Sequence, residues 1–102
     1  MYIHMNGIPI NQPLNSWNTL NVTDMSTMFD SATAFNQPLN LWNTSNVENM
    51  YGMFNNASSF NQNISNWDPP AAQVWKNQVT DFRMNSGLSN DNMPPQVIAR
   101  GH

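Results

Sequence analysis

The stretch FNQPLNLWNTSNVENMYGMF, Phe35 to Phe54, sets asparagines beside aromatic and methionine residues and contains no lysine, arginine or cysteine. Its meaning comes from its neighbours. INQPLNSWNTLNVTDMSTMFDSATA, from Ile10 to Ala34, aligns with FNQPLNLWNTSNVENMYGMFNNASS, from Phe35 to Ser59, at an offset of 25 residues. A partial third copy, FNQNISNWD, runs from Phe60 to Asp68. The matched columns include Asn11/Asn36/Asn61, Gln12/Gln37/Gln62, Leu14/Leu39/Ile64, Trp17/Trp42/Trp67, Met28/Met53 and Phe29/Phe54. A period of this length is that of units which cannot bury an apolar face alone and stack on their neighbours to do so.

Two local patterns divide each unit. Val22, Met25, Met28, Phe29 and Ala32 follow the spacing of one helical face, and Val47, Met50, Met53, Phe54 and Ala57 repeat it, so this half is expected to be a short helix. Asn21 and Asn46 stand at its N-cap positions. FNQPLNLW is too short and too rich in proline for a helix; it reads as a brief extended segment from Pro38, with Leu39 and Trp42 turned inward. The asparagine columns Asn11/Asn36/Asn61, Asn18/Asn43 and Asn21/Asn46 are expected to form ladders. A side-chain amide both donates and accepts, and so can satisfy turn backbone that is shielded from water.

Composition bounds the rest. At 102 residues the chain holds one domain, with 9% charged residues and a formal net charge of −3. Lys76, Arg83 and Arg100 all fall in the last third, so the first 75 residues offer no cation to a phosphate backbone and nucleic acid is not an expected partner. With no cysteine there is no disulfide or thiolate chemistry. No apolar run approaches a transmembrane segment, and MYIHMNGIPINQ lacks the basic and apolar regions of a signal peptide.

Beyond Asp68 the pattern departs and returns. VTDF, Val79 to Phe82, matches VTDM, Val22 to Met25, at an offset of 57, two periods plus seven residues. The inserted PPAAQVWKN is expected to begin a short helix capped by Asp68. SGLSNDNMPP reads as a closing cap, with Ser89 as N-cap of a last turn, and QVIARGH as a tail. The expected divisions are a lead-in over 1–9, repeat 1 over 10–34, repeat 2 over 35–59, a degenerate third repeat with insertion and cap over 60–95, and a tail over 96–102. Nothing resembling the cap precedes Ile10: either Tyr2, Ile3, Met5 and Ile8 form an irregular lid or another copy of the chain stacks there, and self-association through an uncapped N-terminal face, or a truncated array, is expected.

The combination of F-N-Q, W-N-T and M-x-x-M-F between Ile10 and Asp68 resembles the BspA-type leucine-rich-repeat surface proteins, a group long catalogued as a domain of unknown function in mycoplasma-type lipoproteins. The resemblance implies an α/β fold: a short leucine-rich-repeat-like β/α solenoid of about three coils. It also implies extracellular or surface display, contact with other macromolecules, and no catalytic residues to carry over.

The residues themselves offer little chemistry. His4 and His102 lie near opposite ends without a nucleophile, so no catalytic site and no enzyme is expected. Asp24 aligns with Asn49 and Asp30 with Asn55, whereas a calcium-binding array would repeat its carboxylates; no metal site and no cofactor is expected. Met25, Met28, Met50 and Met53 read as core rather than as a soft-metal face. The tryptophan column reads as buried, with each indole N–H on a neighbouring carbonyl. Binding is sought where copies differ: Ser16/Leu41/Asn66, Leu20/Ser45, Thr23/Glu48, Ser26/Tyr51 and Thr27/Gly52, with Leu41, Glu48 and Tyr51 as the candidate contact residues. The expected function is non-catalytic recognition of, or adhesion to, a protein or glycan on a surface. The alternative is a structural subunit whose units stack into a filament or shell.

Overall fold

A computed structural model describes residues 11–67 and 82–94. These form three layers, residues 11–34, residues 35–59, and a third made of residues 60–67 and 82–86, with residues 88–94 laid over the third as a cap. The lead-in, the inserted segment after Asp68 and the tail lie outside the described residues, and so does the N-terminal face proposed for self-association.

The segment Val22–Ala32 is not a helix. Its backbone N–H groups alternate between two destinations. Those of Met25, Thr27, Phe29 and Ser31 donate to the carbonyls of Asn49, Tyr51, Met53 and Asn55 in the next layer, each at 2.8 Å. Those of Met28, Asp30 and Ala32 turn back to the carbonyls of Met25, Thr27 and Phe29, at 3.3, 3.1 and 3.0 Å. An α-helix directs every N–H along its own axis to the residue four back, so it has none to give a neighbouring layer. Thr27 and Ser31 also sit at φ 55° and 63°, and their counterparts Gly52 and Asn56 both at 62°, in the left-handed region that ends a right-handed helix. The expected apolar spacing is real, because Met25, Met28, Phe29 and Ala32 are all fully buried. It is the spacing of consecutive three-residue turns. Ser, Thr and Asp supply the reason: Asp24 Oδ1 takes the N–H of Ser26 at 2.9 Å, and Asn49 Oδ1 that of Tyr51 at 3.0 Å, bonds that compete with a helix. Asn21 and Asn46 accordingly cap no helix.

Nor is FNQPLNLW a strand. On this side the first two layers are joined through side chains. Asn11 Oδ1 accepts the N–H of Asn36 at 2.9 Å, Asn15 Oδ1 that of Leu41 at 2.9 Å, and Thr19 Oγ1 that of Asn43 at 2.9 Å. With amide and hydroxyl oxygens taking these N–H groups, there is no backbone ladder to make a sheet. Among the described residues the regular structure comes to an isolated parallel bridge between Asp24 and Asn49, helical geometry at Phe82, and a 3-10 turn over Asn90–Asn92. The β/α solenoid expected from the sequence is therefore not formed; turns take the place of both its strand and its helix.

Side chains repeat from layer to layer in the interior. Phe29 stacks on Phe54 at 5.5 Å and Phe35 on Phe60 at 5.9 Å, with ring planes within 5° and 9°, and Phe82 meets Phe54 edge-on at 5.4 Å. Trp17, Trp42 and Trp67 stack at 6.3 Å per step, but only Trp42 and Trp67 are buried; Trp17 is exposed, contrary to the burial expected of the whole column. The indole N–H groups of Trp42 and Trp67 donate to the carbonyls of Leu14 and Leu39 in the layer before, at 2.8 and 3.1 Å. Buried polar groups of this kind are held only when they are bonded, which fixes each ring in its layer.

The third layer closes by a different register from the one VTDF implies. Phe54 N–H donates to the Phe82 carbonyl as Phe29 N–H does to that of Met53, and Asn56 N–H to Met84 as Ser31 N–H to Asn55. Phe82 thus occupies the place of Met53 and Met28, not that of Met25, and the layer is 29 residues on instead of 25. The V-T-D match counted letters, whereas the hydrogen bonds count turns. Arg83 then fastens the end, donating to the Leu88 carbonyl at 3.0 Å and to Asn90 Oδ1. Gly87 passes so close to the second layer that a Cβ there would lie 2.7 Å from the Ser58 carbonyl oxygen. Ser89 is the N-cap residue of the 3-10 turn, but without a side-chain capping bond.

Candidate functional site

The amide columns do three different things. The Asn11/Asn36/Asn61 column is a ladder: Asn36 Oδ1 accepts the N–H of Asn61 at 3.0 Å and Gln62 Nε2 at 3.0 Å, repeating what Asn11 does for Asn36 and Gln37. Its last rung belongs to the cap, where Asn61 Oδ1 takes Ser89 N–H and Asn92 Nδ2, both at 2.9 Å. Asn18, Asn43 and Asn63 instead close local turns, each accepting an N–H two residues on. In the Asn21/Asn46 column, Asn46 reaches across a layer to the Leu20 carbonyl at 2.7 Å. The ladder expected for Asn18/Asn43 is thus replaced by local turns, while Thr19, a position the sequence reading passed over, makes the cross-layer bonds to both the N–H and the carbonyl of Asn43.

Over the Leu39–Trp42 turn lies an open depression of about 480 Å³, lined by Asn40, Leu41, Trp42, Asn43, Thr44, Ser45 and Asn66. Leu41, at 72% exposure, is the most exposed of the large apolar side chains among the described residues, and Leu20 and Trp17 are also exposed, at 44% and 38%. Trp17 stacks on Trp42, which is nearly buried at 3%. The polar groups of the lining are held from behind: Asn40 Oδ1 accepts from Asn15 Nδ2 at 2.9 Å, and Asn66 Nδ2 donates to the Asn40 carbonyl at 2.8 Å. No lining residue is charged.

Of the three candidate contact residues, Leu41 lines this depression; Glu48 and Tyr51 are exposed on the turn side and do not line it. Thr27 and Gly52, another of the variable pairs, share a positive φ of 55° and 62°. Asn40 and Asn43 also line it; because they repeat they read as framework, and what sets them apart is that they flank the variable position Leu41.

The remaining candidate chemistry is dispersed. The methionines of the apolar stripe are fully buried. Asp30 Oδ1 accepts from Ser31 Oγ at 3.1 Å. Among the described residues no three His, Cys, Asp or Glu side chains gather where a metal could be held, and no helix is long and apolar enough to cross a membrane.

No curated protein and no solved structure matches the chain. Residues 1–92 match the model of a family described as Mycoplasma protein of unknown function, DUF285, and the chain belongs to that family.

Proposed function

We propose that the chain is a non-catalytic recognition module displayed on a surface, binding a macromolecular partner along the side of the stack that carries Leu41. The observation that supports this is Leu41 itself: a large apolar side chain, 72% exposed, beside an uncharged concavity, whereas the framework leucines Leu14 and Leu39 are buried. Surface display rests on the resemblance of the F-N-Q and M-x-x-M-F motifs to BspA-type surface proteins.

The rival reading, stacking of chains into a filament or shell, requires an open end. Against it stands the cap, because the last rung of the Asn11/Asn36/Asn61 column is taken by Ser89 and Asn92 of the same chain. Light scattering after size exclusion and negative-stain microscopy distinguish the two. The recognition reading expects a monomer whose binding to cell surfaces is lost in Leu41→Ala; polymers or closed shells from the purified chain would overturn it.

A further inference from the structure

We propose that the depression beside Leu41 binds a neutral oligosaccharide, an inference that rests on the recognition reading and names its ligand class. The lining presents free hydrogen-bonding groups of both kinds. The amide N–H groups of Asn40 and Asn43, the amide oxygen of Asn66 and the hydroxyl of Ser45 have no partner among the described residues. Each amide is nevertheless anchored at its other end: Asn40 by Asn15, Asn43 by the Ser45 N–H at 2.9 Å, and Asn66 by the Asn40 carbonyl. Holding one end of each amide restricts its rotation before any ligand arrives, which lowers the ordering cost of binding.

A sugar hydroxyl donates one hydrogen bond and accepts others, and it is matched by a row of neutral donors and acceptors. A phosphate or carboxylate would want a cation, and the lining has none. A protein hot spot would want an accessible Trp, Tyr or Arg in a pocket that sheds its water; here the lone aromatic of the lining, Trp42, is 3% exposed. Leu41 supplies what the amides lack, an apolar surface for the C–H face of a pyranose ring. The volume of about 480 Å³ lies within the range of small-ligand pockets, roughly 300–1,000 Å³.

The test follows the side-chain amide resonances of the isotope-labelled full chain during titration with neutral oligosaccharides of glucose, galactose, mannose and N-acetylglucosamine, with a sialylated oligosaccharide as the charged control. The expected result is saturable shifts at Asn40, Asn43 and Asn66 with at least one neutral sugar. Leu41→Ala and Ser45→Ala, both at exposed positions, should weaken this binding about fivefold or more, and Met84→Ala, exposed and outside the lining, should leave it unchanged. Absence of saturable shifts with every neutral sugar, or shifts that survive Leu41→Ala, would overturn the proposal. Cell-surface binding with and without glycosidase treatment separates the two readings. Binding that needs Leu41 but survives glycan removal overturns the sugar and leaves recognition standing, whereas no binding to untreated cells overturns both.

Discussion

The two sides of the stack solve one problem in opposite ways. On the turn side, residues 23–31 meet residues 48–55 through backbone N–H and carbonyl groups. On the amide side, residues 11–20 meet residues 36–46 through Asn, Gln and Thr side chains bonded to backbone or to one another. Backbone pairing constrains conformation and leaves side chains free, so Ser26/Tyr51 and Thr23/Glu48 differ while φ at 27/52 and 31/56 is kept. Side-chain pairing constrains identity, which is why Asn11, Asn36 and Asn61 recur unchanged.

The core serves both sides and sets the upper limit. Phe54 touches the rings of Phe29, Phe60, Trp67 and Phe82, so Phe54→Ala is expected to lose about 3–5 kcal/mol, read by denaturant unfolding. Next, Thr19→Val keeps the shape but strips both cross-layer bonds from the backbone of Asn43 at a buried position; a loss of roughly 2–3 kcal/mol is expected. Ser26→Ala, on the turn side, should change stability by less than about 0.5 kcal/mol. Equal costs for these two substitutions would break the contrast between the sides.

Asn36 sharpens the contrast further. Its Oδ1 accepts two bonds from the third layer, so Asn36→Ala is expected to cost about 1 kcal/mol, held down because water reaches the exposed site. Asn36→Asp keeps the acceptor and should lie near the parent in the same unfolding assay. Replacing Asn11, Asn36 and Asn61 together by Asp would line up carboxylates one layer apart, with a loss that shrinks as salt is added. If the triple variant is as stable as the single one, the column does not require a neutral acceptor.

Much of this was legible in the chain and part was misread for identifiable reasons. The interior columns Leu39, Trp42, Val47, Met50, Met53 and Phe54 are buried as the period predicts, and the indoles of Trp42 and Trp67 find the neighbouring carbonyls. The helix failed because turns of three residues and helical turns place apolar residues at nearly the same spacing over so short a run. What separates them is the polar fill: Asp24, Ser26, Thr27 and Ser31 are poor helix formers, and Gly52 and Asn56 mark left-handed positions. The strand failed because pairing through Asn side chains gives the same period as pairing through backbone. At the site, Leu41 was visible as a departure from its column, whereas Asn40 and Asn43 were hidden by their regularity.

A small gain in stability bears on the conformational half of the comparison. Ser31, Asn56 and Asn85 occupy successive layers at φ 63°, 62° and 60°. Asparagine enters this region more readily than serine because its short amide bonds locally to the backbone. Ser31 is exposed, so a larger side chain meets no packing there. Ser31→Asn would make the first layer match the other two and is expected to raise stability by roughly 0.5 kcal/mol, the low end of gains from consensus substitutions. Ser31→Val, with a branched Cβ at the same φ, should lower it. If Val and Asn leave the unfolding midpoint equal, then φ at this column is not what the turn side selects, and its freedom at Ser26/Tyr51 needs another cause.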